Sequence, residues 1–223
     1  MSEFRRRLMM AAFGNKAPLV PEFHDRLVFD GTAFIETTLH IPSNGSIRAT
    51  IGKETMKSSQ NVWCTKYNSA QGEGAIRVYY GGGTNSTRRQ MLPFYDSTSY
   101  LFSNKTLAFS YTSFGLFQTP KGLGWGSTNN TYTKGSATAQ GEFCIGGLTG
   151  SSVNPFTGVM ATIYIYDSTA QNVTTFAGFD SYTPVYTLRP CVYNGAAGLW
   201  CVETSTFFGN SAASGTLTVE DDA

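Results

Sequence analysis

From Arg26 onward the chain is a succession of short apolar-rich runs separated by clusters of Ser, Asn and Gly. The clearest run is GVMATIYIYD at 158–167, where Met160, Thr162, Tyr164 and Tyr166 alternate with Ala161, Ile163 and Ile165. Alternate side chains of a strand point to opposite faces, so this segment predicts a sheet with one buried face. RLVFDGTAFIETTLHI at 26–41 offers two short runs around Asp30-Gly31, a dipeptide that favours a tight hairpin because both central positions tolerate positive φ. SIRATIGK, NVWCTKY, AIRVYY, YLFS, TLAFSYTSFGLF and GEFCIGG are further strand-like runs, and LRPCVYNGAAGLWCVETSTFFGN at 188–210 folds about Asn194-Gly195. Many short strands without a helical period predict two packed antiparallel sheets. No fixed-period repeat is present, which disfavours a propeller or a solenoid.

Composition sharpens this picture. The chain has 223 residues, 24 of them Gly, and 14% aromatics, which suits one large β domain over 26–223 with an N-terminal arm over 1–25. In the arm Arg5, Arg6 and Arg7 precede Leu8, Met9, Met10 and Phe13, and Pro18 and Pro21 then impose extended backbone. The apolar stretch Leu8–Phe13 is shorter than the ~7–15 residues of a secretory signal, so the arm is read as retained. Three charges are too few for strong phosphate binding, whereas a short apolar patch that cannot bury itself suits docking into a neighbouring protein. Arg5, Arg6, Arg7, Leu8, Met9, Met10 and Phe13 are therefore the candidate anchor. A net charge of +1 from 16 basic and 15 acidic residues argues against a nucleic-acid partner. No run approaches the ~18 apolar residues of a spanning helix, so no membrane partner is expected.

Candidate chemistry is sparse. The two histidines, His24 and His40, supply almost no material for a zinc site or a triad, and read as turn or interface residues. Asp96, Asn129, Asn130 and Asp167 show no calcium-loop spacing, and neither a metal nor another cofactor is expected. Cys64, Cys144, Cys191 and Cys201 allow three pairings and form no C-x-x-C, so free thiols are the default. Cys191 and Cys201 would face each other only if their hairpin were symmetric about Ala196, and a bridge there would be a staple. Between Ser97 and Val219 the only acids are Glu142, Asp167, Asp180 and Glu203. Their wide separation offers no same-strand pair of carboxylates for glycoside hydrolysis.

The long polar segments YYGGGTNSTRRQ and GLGWGSTNNTYTKGSATAQGE, at 79–90 and 122–142, read as functional loops. Trp125 sits among glycines with Asn129 and Asn130 close behind, a composition that can stack a sugar ring and bind its hydroxyls. Tyr79 and Tyr80 are a second glycan-binding candidate, weighed against a strand-end aromatic pair. Trp63 and Trp200 fall inside strand-like runs and read as core.

Three segments carry a family resemblance. LVFDGTAFIETTLHIPSNGSIRATI, GVMATIYIYDS and LRPCVYNGAAGLWCVETSTFFGN, in that order, resemble the concanavalin A-like (LamG-like) jelly-roll domains of virion proteins from bacteriophages and prophages of gut bacteria. The matching patterns are Phe29 to Ile35, Ile163 to Asp167 and Pro190 through Asn210, within about residues 26 to 215. MSEFRRRLMM also looks like a start that recurs in phage structural proteins. Where the family commonly has Asp after its Gly-Leu-Tyr/Trp step, this chain has Cys201, which removes a carboxylate that could help bind a cation or cap the turn. The resemblance implies an all-β jelly-roll sandwich of two antiparallel sheets with an extended N-terminal arm. It further implies a non-enzymatic virion structural protein, assembled in the bacterial host cytoplasm, which forms a head or tail decoration or fibre. Its partners would be other capsid or tail proteins, further copies of itself, and surface glycans. The alternative is a glycan-cleaving depolymerase on the same scaffold.

Overall fold

The computed structural model describes residues 20–52, 60–65, 77–81, 90–95, 98–99, 114–125, 128–131, 142–147 and 155–222. Its strands are β1 (Glu22–Phe23), β2 (Arg26–Asp30), β3 (Ile35–His40), β4 (Ser46–Gly52), β5 (Gln60–Thr65), β6 (Arg77–Gly81), β7 (Gln90–Tyr95), β8 (Thr98–Ser99) and β9 (Phe114–Thr119). They continue with β10 (Gly122–Trp125), β11 (Thr128–Thr131), β12 (Glu142–Ile145), β13 (Thr157–Tyr166), β14 (Tyr186–Tyr193), β15 (Ala196–Cys201), β16 (Thr206–Phe208) and β17 (Leu217–Glu220). Among the described residues only two short 3-10 turns interrupt them, Ser168–Ala170 and Ala177–Ser181. Among the described residues no helix is long and apolar enough to cross a membrane.

The strands form two antiparallel sheets. The larger runs β11-β10-β9-β4-β13-β14-β15-β16, with β2 also on β13, β17 on β2, and β1 on β14; the smaller runs β3-β12-β5-β6-β7-β8. Alternation explains the layering: in β4, Ile47, Ala49 and Ile51 are buried in the common core while Arg48 and Thr50 stand on the other face. Leu27 and Phe29 of β2, Ile35 and Leu39 of β3, and Ile163, Ile165, Leu188 and Leu199 of the large sheet meet in the same core. Trp63 of the small sheet crosses it, and its Nε1–H donates to Gln118 Oε1 of β9 at 2.9 Å, both residues being fully buried.

Turn residues mark the turns correctly but do not always reveal which strands they join. Asn194 and Gly195, at φ 52° and 78°, close the hairpin of β14 and β15. A two-residue turn centres the register between those residues, not on Ala196. Cys191 therefore lies opposite Gly198 and Cys201 opposite Leu188, and none of the four cysteines is in a disulfide. Burial pushes the Cys191 thiol up to about 11, away from the reactive thiolate. Asp30-Gly31 does turn, with Gly31 at φ 87°, but it closes no hairpin: β2 belongs to the large sheet and β3 to the small one. The dipeptide is a corner between layers. Met160 also departs from simple alternation, sharing the core with Ile163 and Ile165, because the pairing of β13 with β4 shifts register between Met160 and Ile163. Gly122–Trp125 and Thr128–Thr131, expected within a loop, form the edge hairpin of the large sheet, with Trp125 opposite Thr128. Trp63 is core as expected, whereas Trp200 is half-buried on the outer face, because Leu199 and Cys201 on either side of it take the inward positions.

The Asp30 corner is held by its carboxylate. Oδ1 accepts from Thr32 N–H at 2.8 Å, Thr32 Oγ1–H at 2.7 Å and Ala33 N–H at 2.9 Å, and Oδ2 accepts from Thr216 N–H at 2.5 Å. Burial pushes this carboxyl upward, but the hydrogen bonds of Thr32, Thr216 and Ala33 outweigh it and bring the pKa down to about 2.

Two outcomes follow for stability. Gln118→Leu strands the buried indole N–H of Trp63 and should cost about 1–3 kcal/mol. A drop of several degrees in Tm checks this, with Trp63→Phe added to Gln118→Leu recovering part of the loss. Asp30 has a folded pKa below the ~3.9 of an unfolded aspartate, so its contribution is present above about pH 4 and is lost as the pH falls toward 2. Asp30→Asn should therefore lower the urea midpoint near neutral pH, and the gap from wild type should close on acidification. A gap independent of pH would contradict that account.

Candidate functional site

The outer face of the large sheet is not bare. After β13 the chain folds back over it, and Phe117, Tyr166, Ala170, Val173 and Phe179 form a second apolar cluster there, with Tyr164, Phe176 and Tyr182 packed around it. Asp167 starts this excursion by accepting from Thr169 N–H at 2.9 Å and Thr169 Oγ1–H at 2.5 Å. These hydrogen bonds hold its carboxyl below the usual range.

Arg48 links sheet and excursion. Register places it directly opposite Tyr164, and its guanidinium carbon lies 4.9 Å from the Tyr164 ring centre and 5.2 Å from that of Phe176. These distances are within cation–π range. Nη1 donates to Asp180 Oδ1 at 2.7 Å and to the Phe176 carbonyl at 3.1 Å. The Arg48 side chain is 12% exposed, and its buried Nε has no hydrogen-bond partner. Burial pushes the nearby Tyr166 hydroxyl up in pKa, and the Arg48 charge only partly opposes this.

Around Arg48 lies an open cleft of about 440 Å³. It is lined by Arg48 and Thr50 of β4, by Ala161, Thr162 and Tyr164 of β13, and by Phe176, Asp180, Asp25, Arg26 and Asp222. The terminal groups are interlocked. Arg26 pairs with Asp222 and, at 3.6 Å, with Glu220, while Asp222 N–H donates to Asp25 Oδ2 at 3.0 Å. Asp221 accepts from Asp25 N–H at 3.1 Å and lies 3.2 Å from His24 Nδ1; the Asp25 N–H first, and then His24, hold its carboxyl below the usual range. The cleft thus offers aromatic edges beside fixed guanidinium donors and carboxylate acceptors.

A second group of rings lies on the same face of β14, β15 and β16. Tyr193 is 5.2 Å from Trp200 and 5.4 Å from Phe207 between ring centres. Beside them the Arg189 guanidinium stacks 4.0 Å above Phe23 of β1.

The sequence candidates stand elsewhere. Trp125 is in strand β10, Asn129 and Asn130 are in β11, and Tyr79 and Tyr80 are in β6 of the small sheet. The two tyrosines are in a different sheet from the tryptophan and the asparagines. Arg5, Arg6, Arg7, Leu8, Met9, Met10 and Phe13 lie outside the described residues. Sequence reasoning missed Arg48, Tyr164 and Asp180. The available signal was a cation set between the inward-facing Ile47 and Ala49, on a strand whose outer face must then hold a charge. Among the described residues no His, Cys, Asp or Glu side chains gather in a group of three that could hold a metal ion.

No protein-family model matches the sequence, and no curated protein matches it. Solved structures resemble the fold. A "putative carbohydrate binding protein" from Bacteroides ovatus superposes with a TM-score of 0.58 at 12% identity, over 90% of this chain and 61% of that one. The chain therefore spans under two thirds of that neighbour's length. The native heptameric SAP-like pentraxin from Limulus polyphemus gives a TM-score of 0.49 at 10% identity, over 82% of this chain and 98% of that one. The fold is an all-β jelly-roll sandwich of two antiparallel sheets, as the resemblance implied.

Proposed function

We propose that this domain binds carbohydrate without cleaving it. We further propose that it is displayed on a bacteriophage particle, as a head or tail decoration or fibre protein anchored through Arg5, Arg6, Arg7, Leu8, Met9, Met10 and Phe13. The observation that carries the binding reading is the cleft at Arg48. A sugar ring has an apolar C–H face and a girdle of hydroxyls; Tyr164 and Phe176 supply the apolar edges, and the Arg48–Asp180 pair supplies a donor and an acceptor held in place. The carbohydrate description of the Bacteroides ovatus neighbour agrees with this reading. The virion placement, with capsid or tail proteins and further copies of the chain as partners, rests on the three sequence motifs and the arm.

Glycan cleavage is the second reading, because Asp25, Asp180 and Asp222 border one cleft. Hydrolysis needs one carboxyl group to give up a proton while the other attacks or activates water. Asp180 and Asp222 are each tied to a guanidinium and accept hydrogen bonds there, which suits holding hydroxyls better than donating protons. Binding is the better account.

Glycan arrays and calorimetry test it. Wild type should retain a subset of glycans, and Asp180→Ala, which frees Arg48 and removes an acceptor, should weaken retention about tenfold or more. No retained glycan would sink the binding reading, and new reducing ends after incubation with a retained glycan would favour the depolymerase. Antibody labelling of intact particles checks the display.

A further inference from the structure

We infer that the carbohydrate site continues beyond the cleft onto Trp200 and Phe207, so that the ligand is a glycan chain of several units rather than a single terminal sugar. This rests on the carbohydrate reading of the cleft. Ile163 of β13 lies opposite Leu188 of β14. Past that pair the two strands take different partners, β13 pairing with β2 from Met160 opposite Leu27 and β14 with β1 at Phe23 opposite Cys191. Asp25 of the cleft follows His24, whose N–H donates to the carbonyl of Pro190, the neighbour of Arg189. Arg189 is opposite Trp200, and Trp200 is opposite Phe207. Arg189, Trp200 and Phe207 thus form one row across three neighbouring strands, a span of roughly 10 Å at about 4.8 Å per strand, which starts beside the Asp25 side of the cleft.

The far end of that row is built to present rings. The excursion that covers the outer face packs on β9 and β13, leaving Trp200 and Phe207 half-buried and Phe23 37% exposed. Gly198 makes the arrangement possible: a Cβ there would come within 2.8 Å of the Phe207 ring and 2.3 Å of the Phe208 carbonyl, so the ring rests directly on the backbone. Between the rings and the cleft stands exposed Arg189, stacked on Phe23. Polar wall, guanidinium and then aromatic faces is the succession that a chain of linked sugar rings meets as it crosses the strands, each ring offering hydroxyls at its edge and C–H groups on its face. Continuity with the cleft selects this occupant over an unrelated apolar partner.

The test is calorimetry with size-graded oligosaccharides of mannan, xylan, starch and cellulose, and of any bacterial surface polysaccharide retained on the array, with tryptophan fluorescence read in parallel. Affinity should rise with chain length, about two- to tenfold for each further sugar unit that stacks on a ring, and long chains should shift the Trp200 emission. Trp200→Ala and Phe207→Ala should flatten the rise with length, whereas Trp200→Tyr, which keeps a stacking face, should preserve most of it. Binding that is sensitive to Asp180→Ala but indifferent to length and to Trp200→Ala would overturn the extension and leave the cleft reading standing. No binding by any series would remove both.

Discussion

One hydrogen bond inside the sandwich ties its two layers at a fixed position. Apolar burial drives the sheets together but is non-directional, so Leu, Ile and Phe alone would tolerate some sliding of one sheet over the other. The indole of Trp63 in β5 removes that freedom, because its fully buried N–H must find a protein acceptor and finds Gln118 of β9. Gln118 shares β9 with Phe117, which points the other way and seats the segment after β13. Locating β9 in the core thus also locates the floor on which the excursion and the Arg48 cage rest.

The cage shows how a charge serves on a sheet surface. Arg48 is nearly buried, and its desolvation is offset by Asp180, by the Phe176 carbonyl and by surrounding aromatic faces. Removing any one of these leaves the others around an incompletely paired cation. The groups that border the cleft are accordingly held by the same contacts that attach the excursion, so site geometry and local stability are one matter. Asp180, 69% exposed, is the member most open to solvent.

Layer architecture is legible in the sequence because it depends on a period of two, and strands with one inward face carry that period. The Asn194-Gly195 hairpin is legible for a related reason: its turn chemistry is local. Asp30-Gly31 misleads because a turn dipeptide specifies a change of direction and says nothing about which strand the chain then joins. The bulge in β13 reverses Met160, since an inserted residue resets the alternation. The cleft is illegible because Arg48, Tyr164, Phe176, Asp180, Arg26 and Asp222 come from distant parts of the chain and meet only through strand order. Trp200 is readable in principle, as a large ring between two inward neighbours, but only once the parity of its strand is fixed by Leu199 and Cys201.

The pairing of β2 with β17 has a consequence for the order of events in folding. Leu217–Glu220 lies against Arg26–Phe29, Asp30 holds Thr216, and Arg26 holds Asp222. Residues separated by most of the chain's length must therefore meet, which makes for late, slow closure. The cleft draws on Asp25 and Arg26 from one end and Asp222 from the other. Until residues 217–222 dock beside β2 the cleft lacks its Asp222 side, so its geometry is completed only with this long-range pairing.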